Sequence, residues 1–166
     1  MAMSKIRCLI ASDSHGDSSA FREAFRRCGR VDAVFFLGDG ISDAEQLAAS
    51  SLGDGKAWFV VRGNCDHNRP FLGEGVGKVG TVNLGGKRIV FTHGDLYGVK
   101  YHTGGLYDLA RDTGADVLLF GHTHERYESY KDGLYLFNPG SLSGYRASCG
   151  IMTVEDGGIL FAYMDI

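Results

Sequence analysis

The sequence predicts an α/β domain with helices outside a mixed β-sheet, and three observations carry that reading. The first half repeats one pattern three times, an apolar run followed by a polar cluster. A strongly periodic helical segment separates the first two runs. The second half places strand-like runs around short glycine turns, the mark of hairpins.

Taken in order, "IRCLIAS" is the first strand and runs into "DSHGD". In "DSSAFREAFRRCG", Phe21, Ala24, Phe25 and Cys28 fall at i, i+3, i+4 and i+7, one face of a helix. Asp17, Ser18 or Ser19 can cap its start, and Gly29 can end it. "DAVFFL" then runs into "GDGISD", with a shorter helix expected over about Ser42 to Ala49, and "AWFVV" runs into "RGNCD". This βαβαβ order implies parallel strands joined by right-handed crossovers. Next, "KVGTVNLGGKRIVFTHGD" holds two strands around Gly85-Gly86. Tyr101 to Thr113 is helical around Leu106, Leu109 and Ala110, with Gly114 as its stop. Val117 to Phe120 lacks alternation and reads as a strand buried on both faces. The tail reads as two hairpins turning at Asp132-Gly133 and at Asp156-Gly157-Gly158, giving an antiparallel carboxy-terminal half.

At 166 residues the chain suits one domain over 1–166, and 44% hydrophobic with 22% charged residues is ordinary globular usage. A net charge of −3 supplies no broad cationic surface, which argues against long nucleic acid as a partner. Cys8, Cys28, Cys65 and Cys149 show no CxxC spacing, so neither a structural zinc site nor a disulfide framework is indicated. Their usage fits a reducing cytosol. The start "MAMSKIRCLIASDSH" does not make a signal peptide, and no stretch of ~18 apolar residues occurs. A cytoplasmic protein without membrane association is expected.

Five runs end in "DSH", "GD", "GNCD", "THG" and "GHTH". These clusters supply Asp13, His15, Asp39, Asn64, His93, His122 and His124, including four of the six histidines. With the strands side by side, their ends fall on one edge of the sheet and the seven side chains converge. Seven ligands are too many for one four-coordinate ion but suit two ions sharing a bridging carboxylate. Around them, Asp66 either orients a ligand histidine or caps the next turn, Asp43 caps the second helix, and Asp95 is a turn residue. His67 and His102 read as surface histidines. Arg62, Arg69, Lys100, Arg126 and Arg146 are candidates for phosphate contacts, and Phe71, Tyr97 and Tyr101 for stacking. Specificity is expected in the loops near Arg69 to Gly80 and Asp95 to Gly105.

The ordered set D-x-H, G-D, G-N-x-D, x-H-G and G-H-x-H resembles the calcineurin-like metallophosphoesterase superfamily. The short length, "GNCD" and the later "NPGS" at Asn138 to Ser141 resemble its small YfcE-type phosphodiesterase branch. That resemblance implies a β-sandwich flanked by α-helices. It also implies two divalent metal ions, with Asp13, His15 and His124 on one, Asn64, His93 and His122 on the other, and Asp39 bridging. Mn²⁺ is the first expectation, ahead of Ni, Co, Fe, Zn or Mg. The implied reaction is hydrolysis of small phosphodiesters by in-line attack of a metal-bridging hydroxide, with Asp39, Asn64, Cys65 and Asp66 as the catalytic positions.

Many members of the wider superfamily carry His where Cys65 stands. A thiol is a poor hydrogen-bond donor beside imidazolium, so a preference for activated or aryl diesters is expected. Two other functions share the pattern. A phosphomonoesterase would use the same metals. The retromer subunit that resembles this branch serves in assembly, but its ligand set is incomplete, whereas all seven positions are filled here. Edge strands would also allow the chain to pair with itself.

Overall fold

The computed structural model describes residues 4–166, so the first three residues of the amino-terminal stretch and of the 1–166 domain expectation lie outside the described residues. Among those described, the order is β1 (Ile6–Ala11), α1 (Ser18–Cys28), β2 (Ala33–Phe36), α2 (Ile41–Ala48), β3 (Ala57–Val60), β4 (Val79–Leu84) and β5 (Lys87–Thr92). Then follow α3 (Gly104–Thr113), β6 (Val117–Leu119), β7 (Arg126–Lys131), β8 (Leu134–Pro139), β9 (Ser148–Glu155) and β10 (Gly158–Asp165). No helix among them is long and apolar enough to cross a membrane.

The strands form two five-stranded sheets, ordered β10-β9-β1-β2-β3 and β4-β5-β6-β8-β7. Each is mixed: β1, β2 and β3 are parallel, as are β5, β6 and β8, while β9 pairs antiparallel with β1 and β10, β4 with β5, and β7 with β8. Alternate residues of the central strands explain the layering. Cys8, Ile10, Phe35 and Leu37 of the first sheet meet Ile89, Phe91, Val117 and Leu119 of the second in a core between the sheets. Their neighbours Leu9, Ala11, Val34 and Phe36 face the other way, against Phe21, Phe25, Ile41 and Leu47 of α1 and α2. Val90, Leu118 and Leu136 likewise pack on Leu106 and Ala110 of α3. A strand covered on both faces has no polar face, and the apolar runs in the sequence follow from that. The result is a β-sandwich flanked by helices.

Asp17 caps α1, accepting the Ala20 N–H at 3.0 Å, and Gly114 ends α3 in the left-handed conformation. Four sequence expectations change. The five metal-site strands do not share one sheet, because β1 to β3 and β5 to β6 belong to different sheets. The "AWFVV" strand is an edge strand, half-buried rather than enclosed. The carboxy-terminal half is not wholly antiparallel, since β8 pairs parallel with β6. The third helix starts at Gly104 rather than Tyr101, the preceding residues forming turns.

Phe35 is fully buried, and its ring meets Phe91 of the opposite sheet edge-on at 5.2 Å. Phe35→Ala is expected to cost about 3–5 kcal/mol of unfolding free energy in urea titrations.

Candidate metal centre

The site forms where strand ends of the two sheets meet. Within the first sheet, the Asp13 N–H donates to Gly38 O at 2.9 Å and the His15 N–H to Asp39 O at 3.0 Å, which locks the loop after β1 onto the loop after β2. Within the second, the Gly121 N–H donates to His93 O at 2.9 Å. Three bonds then cross between sheets. His93 Nδ1 lies 2.7 Å from Leu37 O, the His122 N–H donates to Asp13 Oδ2 at 3.1 Å, and the Leu142 N–H donates to Ser12 O at 2.9 Å. An Nδ1–H bonded to a carbonyl leaves the Nε2 lone pair of His93 directed into the cluster.

Backbone strain concentrates here. Nine non-glycine residues among those described have positive φ, and five of them are Asp13, His15, Asp39, His122 and His124. Left-handed backbone turns each side chain back across its strand end, at a cost of about 1–3 kcal/mol per residue. Two glycines are required beside them: a Cβ on Gly63 would collide with the Asp39 carboxylate, and one on Gly121 with the Ser12 hydroxyl.

The seven side chains do converge. His15 Nε2 lies 3.2 Å from His124 Nε2, and Asp13 Oδ1 is 3.6 and 3.2 Å from these same atoms. On the other side, His93 Nε2 lies 3.1 Å from His122 Nδ1, 3.1 Å from Asn64 Oδ1 and 3.3 Å from Asp39 Oδ2. Asp39 Oδ2 is also 4.0 Å from His15 Nε2, so it faces both groups. Donor atoms of one ion with bonds of ~2.1 Å sit about 3 Å apart, so these spacings fit two cations. Asp13 Oδ1 adds a second sign. It is buried and receives no well-aligned hydrogen bond, facing only the ring nitrogens of His124 and His15 at 3.2 and 3.6 Å, which is costly unless a proton or a cation lies between them.

A comparison with known proteins matches residues 6–157 to the calcineurin-like phosphoesterase superfamily domain. The chain belongs to that superfamily. It is 32% identical over 162 residues to a Bacillus subtilis (strain 168) protein named "Probable metallophosphoesterase YsnB", covering 95% of this chain and 89% of the relative. A solved structure of a predicted phosphoesterase from Streptococcus pneumoniae TIGR4 superposes with TM-score 0.77 at 29% identity, over 99% of this chain and 91% of that one. Vacuolar Protein Sorting 29 from Cryptosporidium parvum shares the fold, with TM-score 0.77 at 21% identity over 98% of each chain.

In this calcineurin-like chain the family implies divalent ions, and the remaining predicted residues take varied places. Asp66 touches backbone only. Its Oδ2 accepts the N–H groups of Asp39 and Gly63 at 2.7 and 2.8 Å, and its Oδ1 those of Gly40 and Ile41 at 2.9 and 3.0 Å. It therefore caps α2 and ties the third loop to the second. Asp43, expected to cap that helix, instead reaches the first loop, accepting the Ser14 hydroxyl at 2.5 Å and the Gly16 N–H at 2.9 Å. Asn64 and Cys65 are exposed at the rim, with the Cys65 N–H donating to Asp39 Oδ1 at 2.7 Å. Ser141 of "NPGS" donates to Asp13 O at 2.8 Å, and Asn138 donates to Gly121 O and Thr123 Oγ1 at 3.1 and 3.0 Å.

Phe71 packs against Trp58 at the helix-covered core rather than facing the site, and Asp95 pairs with Lys78 at 3.0 Å. Sequence reasoning missed Ser12 and Ser14, both fully buried and bonded to the carboxylates of Asp13 and Asp43. Their only signal was position, since each flanks the first aspartate.

Electrostatics reflect the crowding. Burial alone would raise Asp13, yet His124, His93, the Ser12 hydroxyl and the His122 N–H outweigh it and hold the carboxyl below its ordinary range. Asp39 is lowered further, burial being offset by His93 and the Cys65 N–H. Burial pulls His93 down, but Asp39 and Asp13 lift it above the usual imidazole range, and Asp13 does the same for His124. His122 is lowered by burial and by His93. Without metal, the carboxylates therefore favour the protonated forms of His93 and His124 over those of an ordinary imidazole. Raised imidazoles contribute stability that is complete below about pH 6.5 and is lost as pH rises through their folded-state values. Chelator-treated protein should therefore melt at lower temperature at pH 8.5 than at pH 6, and saturating Mn²⁺ should abolish most of that difference.

Proposed function

We propose that this chain is a phosphodiesterase acting on small diesters with two divalent ions, Mn²⁺ first among them. The observation that carries the reading is the pair of ligand groups facing one carboxylate. Asp13, His15 and His124 would hold one ion, Asn64, His93 and His122 the other, with Asp39 shared between them. When bound, two such ions activate water for in-line attack and offset the charge that builds on the phosphoryl oxygens.

The residues themselves support water as the nucleophile. The hydroxyls of Ser12, Ser14 and Ser141 are buried beneath the site as well as bonded to protein acceptors, so a substrate phosphorus does not reach them. Asp66 and Asp43 fix the loops that aim the ligands. Three of the guanidiniums offered as phosphate contacts have other partners: Arg62 bonds Asn68, Arg69 pairs with Glu45, and Arg126 pairs with Asp165 beneath Tyr163. A monoester dianion gains more from fixed cations than a diester monoanion; with those three engaged, Lys100 and Arg146, which line clefts around Thr123 and His124, are the candidates left to meet a phosphate. A cleft of about 570 Å³, lined by His15, Gly16, Asp39, Cys65, Asp66 and Arg69, opens on the ligand residues themselves and can take one diester substituent.

Metal-stripped protein reconstituted with Mn²⁺ should cleave bis-p-nitrophenyl phosphate faster than p-nitrophenyl phosphate. Asp39→Ala should lower the diester rate by more than ~100-fold, because losing even an outer partner of a ligand costs ~10–100-fold. Faster monoester cleavage would make the chain a phosphomonoesterase. No turnover with any divalent ion would favour an assembly role on the fold it shares with Vacuolar Protein Sorting 29. Separately, Cys65→His should flatten the dependence of rate on leaving-group pKa by supplying a better proton donor. An unchanged slope across a series of aryl diesters would remove Cys65 from the leaving-group step.

A further inference from the structure

We propose that Cys65 is a conditional metal ligand. Together with His15 and Asp39 it forms a sulfur, nitrogen and oxygen donor set that captures thiophilic divalent ions, while hard ions use the nitrogen and oxygen ligands alone. The inference rests on His15 and Asp39 being metal ligands, as in the function proposed above, and extends that site to a donor of a different chemical class.

Four features of the structure converge on it. The Cys65 sulfur, a ring nitrogen of His15 and a carboxylate oxygen of Asp39 all lie within 4.8 Å of one another. Bonds of ~2.3 Å to sulfur and ~2.1 Å to nitrogen would bring such donors together around one ion after small side-chain rotations. The Cys65 N–H donates to Asp39 Oδ1 at 2.7 Å, which pins the residue's backbone beside the shared carboxylate. Asn64 Nδ2 donates to the sulfur at 3.5 Å, a contact that strengthens as sulfur gains negative charge. Finally, Asp13 Oδ1, buried and without a well-aligned hydrogen bond, lies 3.6 Å from the same His15 nitrogen and 3.2 Å from that of His124, so the His15 ring already sits against an under-satisfied carboxylate.

The other three cysteines are buried, whereas Cys65 is exposed and can be reached by ions and reagents. Binding forms a sulfur–metal bond and breaks the S–H bond, the proton passing to solvent, so no oxidant or reductant is required. Thiolate suits Zn²⁺, Cd²⁺ and Co²⁺, whereas Mn²⁺ and Mg²⁺ favour oxygen and nitrogen. A thiolate ligand also fills a coordination position, and a filled set is what separates structural from catalytic sites. Thiophilic ions are therefore held tightly and turn over poorly, which makes Cys65 a device for discriminating among metals.

The test uses the full metal-stripped chain, wild type beside Cys65→Ser, with the metals alone as probes. Co²⁺ titration should produce a near-ultraviolet sulfur-to-cobalt charge-transfer band in the wild type that is absent from Cys65→Ser. By calorimetry, Cd²⁺ affinity should fall by ~10–100-fold in the variant, at least the loss seen for an outer partner. Mn²⁺ affinity should stay within ~3-fold, because a hard ion gains little from sulfur. That retained affinity also reports that the variant is folded. Saturating Cd²⁺, but not Mn²⁺, should protect Cys65 from alkylation. No band in the wild type, an equal band in the variant, or parallel losses of Cd²⁺ and Mn²⁺ affinity would each overturn the proposal. These readouts need no turnover, so a chain that binds cobalt through sulfur yet cleaves no ester would refute the phosphodiesterase reading and leave this one standing.

Discussion

Repulsion among the donor atoms gathered at one point is the constraint on which the rest of this structure depends. Two carboxylates and four imidazoles are drawn together, with imidazole nitrogens approaching in pairs at 3.1 and 3.2 Å. Lone pairs at that distance repel unless a proton or a cation lies between them. Left to themselves, loops carrying such groups would spread into solvent. Here they cannot, because each loop is anchored to another by buried hydrogen bonds.

Those anchors follow a consistent chemical logic. The ligating side chains are left with open lone pairs, while a surrounding set of polar groups is bonded to backbone. Asp66 accepts four backbone N–H groups from the second and third loops, and Asp43 and Ser14 join α2 to the first. Ser141 and Asn138 fasten the loop after β8 to Asp13 and to the "GHTH" loop. Hydrogen bonds to buried charged groups are worth about 1.5–3 kcal/mol each, enough to hold several residues in left-handed backbone. The strain sits where the chemistry is, and the bonds that oppose it sit one residue further out.

The sandwich makes this economical in chain length. Because the parallel strands of both sheets end on the same side, their loops come within side-chain reach across the inter-sheet core. His93 and His122 from one sheet then face Asp39 and Asp13 from the other. The two groups of donor side chains therefore straddle the seam between the sheets, with the Asp39 carboxylate facing both, and the shape of the site is tied to the packing of the whole core. Cys65 lies at the rim of that seam, where a soft donor can join or stand aside without disturbing it.

Much of this was readable in the chain itself. Strands buried on both faces must be apolar throughout, so four of the five strands that lead into the site announce themselves as runs, the edge strand β3 being apolar though only half-buried, and each polar cluster behind them marks a strand end. Helix α1 and the glycine turns were equally plain, because helical period and turn chemistry are local properties. What the sequence left open was decided by contacts between distant residues. Period does not encode which strand pairs with which, so the division into two sheets and the edge position of β3 appear only in the fold. Asp43 and Asp66 look alike as carboxylates behind strand ends, and only tertiary structure shows that Asp43 in α2 serves the first loop and that Asp66 joins its own loop to the second. The left-handed backbone of His122 and His124 is likewise invisible in sequence, since those residues adopt it only where surrounding hydrogen bonds outweigh its cost. The sequence by itself determined which donors the protein has and that they lie at strand ends. The tertiary structure decided which of them meet, because their meeting depends on two sheets closing over one shared core.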